Sequence, residues 1–233
     1  MCAAVLASRA VSAASGVSRP MRIGILMLDT RFPRPPGDIG HPDSFRRRGA
    51  EPIYRVVAGA SARRVVEQAD PALLAPFIAA GHELVALGAQ RIGTSCGFLA
   101  AFQSELQAAL PVPVMASALL ACAALDHPGI LTFSAESLSP TLLRRAGVPA
   151  GTPVEGVSRH SEFFRCIIND EPTMDVALAE RDVVEAAQRL VERHPAIRTL
   201  VLECTNMPVY QSAIEAATGR PTVDLIRLLT RAT

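Results

Sequence analysis

Short runs of apolar residues alternate along the chain with longer segments in which apolar residues recur at helical spacing. A continuous apolar run predicts a strand buried on both faces, and the helical spacing predicts an amphipathic helix. The predicted strands cover residues 22–28, 54–57, 83–89, 112–117, 129–135, 152–157 and 197–203. The predicted helices cover residues 61–81, 98–110, 118–125, 139–147, 174–194 and 208–219. The first of these helices is broken near Pro71 and is expected to end at Gly81.

This alternation of strands and helices favours an α/β fold with mostly parallel sheets. The pattern runs through two rounds that match in outline: an apolar strand, then helices, then a strand that ends at a cysteine loop. The two rounds share no strong residue-by-residue repeat, so we expect a duplication of architecture rather than of sequence.

Reactive or polar residues follow three of the predicted strands. Asp29 follows the first, Cys96 stands in "RIGTSCG", and Cys204 stands in "LVLECTN". Ligands of open parallel sheets bind beyond the carboxyl ends of the strands, so these three residues are expected to lie at the ligand site.

A cysteine just before a helix lies near backbone N–H groups and the positive end of the helix. Both features are expected to lower the pKa of Cys96 and of Cys204 and to favour the thiolate. Two such corners that face each other would place a base on either side of one bound carbon. That arrangement suits inversion of a stereocentre beside a carboxylate by proton transfer.

Composition narrows the chemistry and the partners. The formal net charge is +1, which favours neither a nucleic acid nor an anionic membrane as partner. All 23 basic residues are arginine, so the chain offers no lysine for a pyridoxal phosphate Schiff base or for a Walker-type loop. The 5 cysteines are widely spaced, which argues against a disulfide framework or a structural zinc site. We therefore expect a cytoplasmic protein with free thiols, without a metal and without pyridoxal phosphate.

The three corners together resemble a known group of enzymes. "DT" after the first strand, "TSCG" midway and "ECTNMP" late in the chain are similar to the motifs of the aspartate/glutamate racemase superfamily. The superfamily includes cofactor-independent glutamate, aspartate and hydantoin racemases, maleate isomerase and arylmalonate decarboxylase. The resemblance covers nearly everything from Met21 onward. It implies two similar α/β lobes with the active site in the cleft between them.

We accordingly expect residues 21–117 plus 211–233 to form the first lobe and residues 118–210 the second. Residues 1–20, rich in alanine and serine, are expected to be a disordered tail or an over-long start. A signal peptide is disfavoured because Arg9 follows the apolar stretch instead of preceding it.

The resemblance also assigns roles to individual residues. It implies that Cys96 and Cys204 are the paired acid/base thiols. The residues that it places beside the substrate are Asp29, Thr30, Thr94, Ser95, Gly97, Thr205 and Asn206. The racemases often have Asn-Thr after the first cysteine and histidine two residues after the second. This chain has Gly97-Phe98 and Asn206 at those places, which leaves the substrate open.

A proline-rich loop over residues 31–45 follows Asp29 and Thr30, and we expect it to cover the cleft. Its Arg31 and Arg34 are candidates to clamp a second substrate carboxylate. His160 is the histidine that we single out for a role at the site.

The resulting hypothesis is a cofactor-independent racemase or epimerase that acts on a small carboxylic acid through Cys96 and Cys204. One alternative is an enzyme of the maleate isomerase or decarboxylase type that uses a single thiol. Another is a carboxylate-binding protein without catalysis. Whether the chain forms a homodimer is left open.

Overall fold

The computed structural model describes residues 20–231. The predicted tail therefore lies, except for its last residue, outside the described residues. Among residues 20–231, no helix combines the length and the apolar character that crossing a membrane requires.

The first of two sheets is fully parallel and is built around the strand that opens the described chain. Its strands stand in the order β2-β1-β3-β4. Six consecutive residues of the first strand are buried, as its continuous apolar run predicts. The bounds are β1 Met21–Leu28, β2 Ala50–Val57, β3 Arg91–Thr94 and β4 Val114–Met115.

The second sheet repeats this arrangement with later strands. It is also parallel, and its order is β6-β5-β7-β8, so β5 takes the place that β1 has in the first sheet. The bounds are β5 Pro128–Thr132, β6 Val154–Gly156, β7 Thr199–Leu202 and β8 Thr222–Val223. The prediction of two similar α/β lobes with parallel sheets is confirmed.

Helices flank both sheets within the described range. The α-helices are α1 Asp43–Arg46, α2 Ala62–Val66, α3 Leu74–Ala86, α4 Gln103–Ala109, α5 Pro140–Arg145, α6 Glu162–Ile168, α7 Val176–Arg193, α8 Gln211–Thr218 and α9 Leu225–Thr230. Short 3-10 helices cover Pro71–Leu73, Gly97–Phe102, Ala118–Ala124 and Met207–Tyr210. Local capping explains several starts: Ser139 accepts a hydrogen bond from the backbone of Leu142 at α5, and Asp175 caps α7 in the same way.

The strand predicted over residues 83–89 is wrong. These residues form the last turns of α3 and the turn after it. Gly81 lies inside α3 and does not end it. Its small size allows Leu110 to pack closely, since a Cβ at Gly81 would lie 2.6 Å from a methyl carbon of Leu110. The real strand of this region is β3, which starts just afterwards. The helix α6 was not predicted.

The lobe boundary predicted near the end of the chain also needs correction. Residues 211–224 were assigned to the first lobe, but α8 packs on α7, and β8 pairs with β7 in the second sheet. The final helix α9 does pack against β3 of the first sheet, as that assignment expects. We use "first lobe" for residues 20–117 with α9, and "second lobe" for residues 118–224.

Candidate active site

Cys96 and Cys204 occupy equivalent places in the two lobes. Cys96 follows β3 and precedes the 3-10 helix Gly97–Phe102, whereas Cys204 follows β7 and comes shortly before the 3-10 helix Met207–Tyr210. Both line one narrow cavity between the lobes, with a volume of about 20 Å³. Cys96 retains part of its accessible surface, and Cys204 is 7% exposed. The fold thus brings together two thiols that stand far apart in the sequence.

Short polar side chains fix the two corners to the lobes and to each other. The hydroxyl of Ser95 accepts a hydrogen bond from the backbone N–H of Leu28 at 2.8 Å. The hydroxyl of Thr205 donates to the carbonyl of Ser95 at 2.7 Å, which links the cysteine loop of the second lobe to that of the first. The hydroxyl of Thr94 lies 2.7 Å from the carbonyl oxygen of Ala116. Thr94 and Thr205 thus use their hydroxyls on backbone oxygens, and their predicted contact with substrate stays a prediction.

A chain of polar contacts extends from Cys204 into the proline-rich loop. The thiol donates to the side-chain oxygen of Asn206 at 3.4 Å, and the amide nitrogen of Asn206 donates to Asp38 at 2.5 Å. The other carboxylate oxygen of Asp38 accepts from Arg34 at 2.9 Å, and Arg34 also donates to the hydroxyl of Thr30 at 3.0 Å. Arg34 is thereby occupied in holding the loop and the Asn206 side chain.

The proline-rich loop lies against both cysteine loops. Phe32 lines the cavity, and the guanidinium of Arg34 lies 4.4 Å from the centre of its ring. Further along, the backbone N–H of Ile39 donates to the carbonyl of Thr205 at 3.3 Å. The second lobe holds the loop as well, because Asp170 accepts from the backbone N–H groups of Arg31 and Phe32. This placement supports the prediction that the loop covers the cleft.

Three further candidates lie away from the lining of the cavity. The carboxylate of Asp29 accepts a hydrogen bond from the backbone N–H of Gly59 at 2.9 Å. The side chain of Arg31 is 77% exposed and pairs with Asp170. His160 is exposed, and its backbone N–H bonds to Ser158. In this structure the carboxylate clamp imagined for Arg31 and Arg34 is not formed, because each guanidinium pairs with a carboxylate of the protein itself.

Glu203 is a lining residue that the sequence analysis missed, although it directly precedes Cys204. It is fully buried, and one carboxylate oxygen accepts from the hydroxyl of Thr132 at 2.8 Å. The other oxygen, Oε1, has no hydrogen-bond partner within residues 20–231. Gly97 packs so close that any side chain there would overlap the oxygens of Glu203. Burial raises the pKa of Glu203 to about 7, against the opposing effects of the Thr132 hydroxyl and the backbone of Phe133.

The expectation of low thiol pKa values is wrong for this structure. Burial, with the nearby carboxyl of Glu203 adding to it, raises the pKa of Cys96 to about 12, although the backbone N–H of Phe98 and the charge of Arg34 act in the opposite direction. The pKa of Cys204 is also raised, by burial first and by Glu203 second. Both thiols are therefore protonated at neutral pH, unless a positively charged ligand offsets the negative charge of Glu203.

The lining suits proton transfer to or from carbon in a small molecule. It offers two thiols, one carboxyl, the hydroxyl of Ser95 and the amide of Asn206 within an otherwise mostly apolar wall. In the part of the chain from residue 20 to residue 231, no lysine, arginine or histidine lines this cavity. Groups that can give up or take a proton, and donors for a carboxylate, are all present.

Comparison with known sequences identifies a group of relatives. No model of a known protein family matches the chain. It is 30% identical over 223 residues to a dimethylsulfoniopropionate lyase of Durusdinium sp. clade D, which covers 88% of this chain and 71% of the relative. It is 28% identical over 230 residues to dimethylsulfoniopropionate lyase 5 of Emiliania huxleyi (strain CCMP1516), covering 89% of this chain and 44% of the relative. It is 30% identical to lyase 7 of the same strain, spanning 64% of that protein.

Several solved structures share the fold of this chain. An arylmalonate decarboxylase superposes with a TM-score of 0.55 at 17% identity, covering 91% of this chain and 93% of the other. A glutamate racemase from Thermus thermophilus gives 0.55 at 22% identity, covering 91% and 78%. The Picrophilus torridus aspartate racemase gives 0.54 at 14% identity, covering 90% and 91%. The chain therefore belongs to the family of the Durusdinium dimethylsulfoniopropionate lyase, and it shares the fold of the aspartate and glutamate racemases.

Proposed function

We propose that this protein is a lyase that eliminates dimethyl sulfide from dimethylsulfoniopropionate or from a closely similar acid with a sulfonium group on the β carbon. The observation that carries the proposal is the shared cavity of Cys96 and Cys204 in a chain that matches a dimethylsulfoniopropionate lyase over 88% of its length. This function differs from the racemase hypothesis in its second step. Both reactions begin with removal of the proton beside the carboxylate, but the lyase then expels dimethyl sulfide where the racemase returns a proton.

The first step is removal of a proton from the carbon beside the carboxylate. One of the two thiols, in its thiolate form, takes this proton. The electron pair left on that carbon forms a double bond to the β carbon, and the bond between the β carbon and sulfur breaks with its electrons going to sulfur. The products are acrylate, dimethyl sulfide and the thiol, so atoms and charge balance without an oxidant or a co-reactant.

Donors near the thiols hold the carboxylate while negative charge builds on the neighbouring carbon. The hydroxyl of Ser95 accepts a hydrogen bond from Leu28, which leaves its own proton for the substrate. Asn206 is held in place by Asp38, so it reaches the cavity in one orientation. Preorganised donors of this kind stabilise developing charge more strongly than water does, because they need no reorganisation.

A second candidate function is the two-base racemase or epimerase. The presence of both thiols in one cavity favours it, since elimination needs only one base while inversion uses two. In that reaction one thiol removes hydrogen from one face of the carbon, and the other returns hydrogen to the opposite face. The cytoplasmic location and the open question of a homodimer stay predictions under either function.

The test is to incubate the purified protein with dimethylsulfoniopropionate in deuterated water. We expect dimethyl sulfide in the headspace by gas chromatography and an equal amount of acrylate by nuclear magnetic resonance. The double variant C96S/C204S serves as the control and should release neither product. If no release occurs, but chiral carboxylic acids gain deuterium at the stereocentre, the racemase replaces the lyase.

A further inference from the structure

The carboxyl of Glu203 has no assigned part in the elimination, and its surroundings are unusual for a structural group. It is fully buried, and of its two oxygens Oε1 has no hydrogen-bond partner among residues 20–231. Gly97 has no Cβ that would overlap this oxygen. Once this carboxyl is ionised, an oxygen without a donor is unfavourable, because it has lost its hydration and gained nothing in return. A bound ligand that carries positive charge would remove this penalty.

Aromatic rings accompany this carboxyl in the wall of the cavity. Phe98 of the first lobe and Phe133 of the second lobe both line it, and both are nearly fully buried. Ring faces attract cations, most strongly where water is excluded. Arg34 already occupies the ring of Phe32, and the ring of Phe164 stacks on one face of Phe133 at 4.5 Å between centroids. The ring of Phe98 and the other face of Phe133 are left for a ligand.

We propose that Glu203, with the rings of Phe98 and Phe133, recognises the onium group of the substrate and so selects acids that carry a positive charge on the β carbon. This assignment rests on the proposed lyase function and adds to it a specificity-determining residue. A trialkyl onium group has no N–H or O–H to donate, so only charge and ring faces can recognise it. A carboxylate oxygen without a donor and two phenyl rings supply those two interactions.

The same arrangement rejects other small acids. A dicarboxylate would bring a second negative charge to a wall where, within residues 20–231, the ionisable lining groups are Glu203 and the two thiols. A neutral isostere would have the same shape but would leave Oε1 of Glu203 uncompensated. The onium charge also offsets the carboxylate that raises the pKa of both thiols, so binding of the substrate eases ionisation of the base.

A pair of isosteric probes isolates the charge. The first is 3-(trimethylammonio)propanoate, and the second is 4,4-dimethylpentanoate, in which carbon replaces the charged nitrogen. Both carry the same carboxylate and nearly the same shape. Isothermal titration calorimetry, or competition against dimethylsulfoniopropionate turnover, gives the dissociation constant of each probe. In the wild-type protein we expect the charged probe to bind at least about tenfold more tightly.

Variants then assign the preference to Glu203. In E203Q, which keeps the shape and an acceptor for Thr132, the ratio of the two affinities should fall to roughly threefold or less. F98L should lower the ratio partway, because one ring is lost. D224N is the matched control, since Asp224 is another buried carboxyl with an unpartnered oxygen, in a different cavity. Its ratio should equal that of the wild type.

The probe-binding results can be distinguished from the results of the dimethyl sulfide assay. Equal binding of the two probes by the wild type, binding of neither, or an unchanged ratio in E203Q would overturn the assignment of Glu203. A preference for the charged probe that E203Q abolishes supports the assignment, even in a protein that releases no dimethyl sulfide. In that case the reaction proposed above fails while onium recognition stands.

Discussion

Two adjacent residues at the end of β7, Glu203 and Cys204, set the charge of the cavity. No basic residue of the described chain lines the cavity. Burial, with the carboxyl of Glu203 adding to it, raises the pKa of both Cys204 and Cys96. The polar contact from Cys204 through Asn206 to Asp38 then keeps the thiol in a fixed orientation. The reactivity of the thiols is therefore set by their neighbours and by the charge of the ligand.

Replacement of Glu203 by glutamine should change how stability depends on pH. In the folded protein Glu203 keeps its proton up to about pH 7, whereas its ordinary pKa is 4.5. Between these values the folded state holds more protons than the unfolded state, so this group makes stability fall as pH rises through that window. The effect is on the order of 3 kcal/mol for a shift of this size.

We therefore expect E203Q to gain stability relative to the wild type as pH increases from about 4.5 to about 8. Urea denaturation of both proteins at several pH values measures their unfolding free energies. The contributions of other titrating groups cancel in the difference between the two proteins. A difference in unfolding free energy that stays constant across this pH range would show that Glu203 is ionised in the folded protein.

At the scale of elements, the proline-rich loop and the two cysteine loops form one unit. The loop is held by Asp170, which follows α6 of the second lobe and accepts from the backbone N–H groups of Arg31 and Phe32. Asp170 also pairs with the guanidinium of Arg31 at 3.1 Å. Since Phe32 lines the cavity, the position of this loop decides the shape of the site.

Removal of this support should weaken substrate binding more than it slows the chemistry. D170A takes away three hydrogen bonds to a charged group, and we expect KM to rise roughly tenfold while kcat changes less. Hydrogen exchange at the backbone amides of Arg31 and Phe32 should speed up in the same variant.

The control is D126A, because Asp126 also pairs with an exposed arginine, Arg198, but lies away from the loop. It should leave KM and the exchange of these amides unchanged. An unchanged KM in D170A would mean that the loop keeps its place without this anchor.

The elements that were mispredicted fail for identifiable reasons. Residues 83–89 are an apolar run of the length that strands and buried helix ends share, so periodicity alone does not separate the two. Gly81 looks like a helix end in the sequence, but the close approach of Leu110 explains it instead. Helix α6 is short and has an apolar, buried sequence, although its cap Ser161 was a signal that could have found it.

At the scale of the whole molecule, the sequence was enough to predict the two-lobed parallel α/β fold. Buried parallel strands leave a plain apolar pattern, and the cysteine motifs follow them directly. The partner of each polar side chain depends on contacts across the cleft, which local sequence does not encode. Asp38 and Glu203 were missed for that reason, and the pairing of Arg31 with Asp170 joins residues that are 139 positions apart.

The shared cavity also separates the two candidate functions. In the lyase one thiol is the base, so replacement of that thiol should lower turnover by a factor of about 100 to 10,000, and replacement of the other should cost much less. In the racemase either single replacement should abolish turnover. The pattern of the two single variants therefore reports the mechanism as well as the site.

The most direct test of the central claim, that a thiol of this cavity removes the proton beside a carboxylate, is dimethyl sulfide release by C96S, C204S and the control C166S. Cys166 is buried outside the cavity, and its thiol contacts backbone oxygens that a serine hydroxyl can also reach. With folding checked by thermal melting, we predict at least about a hundredfold loss in C96S or C204S, and wild-type release by C166S. Wild-type release by both C96S and C204S would contradict the account.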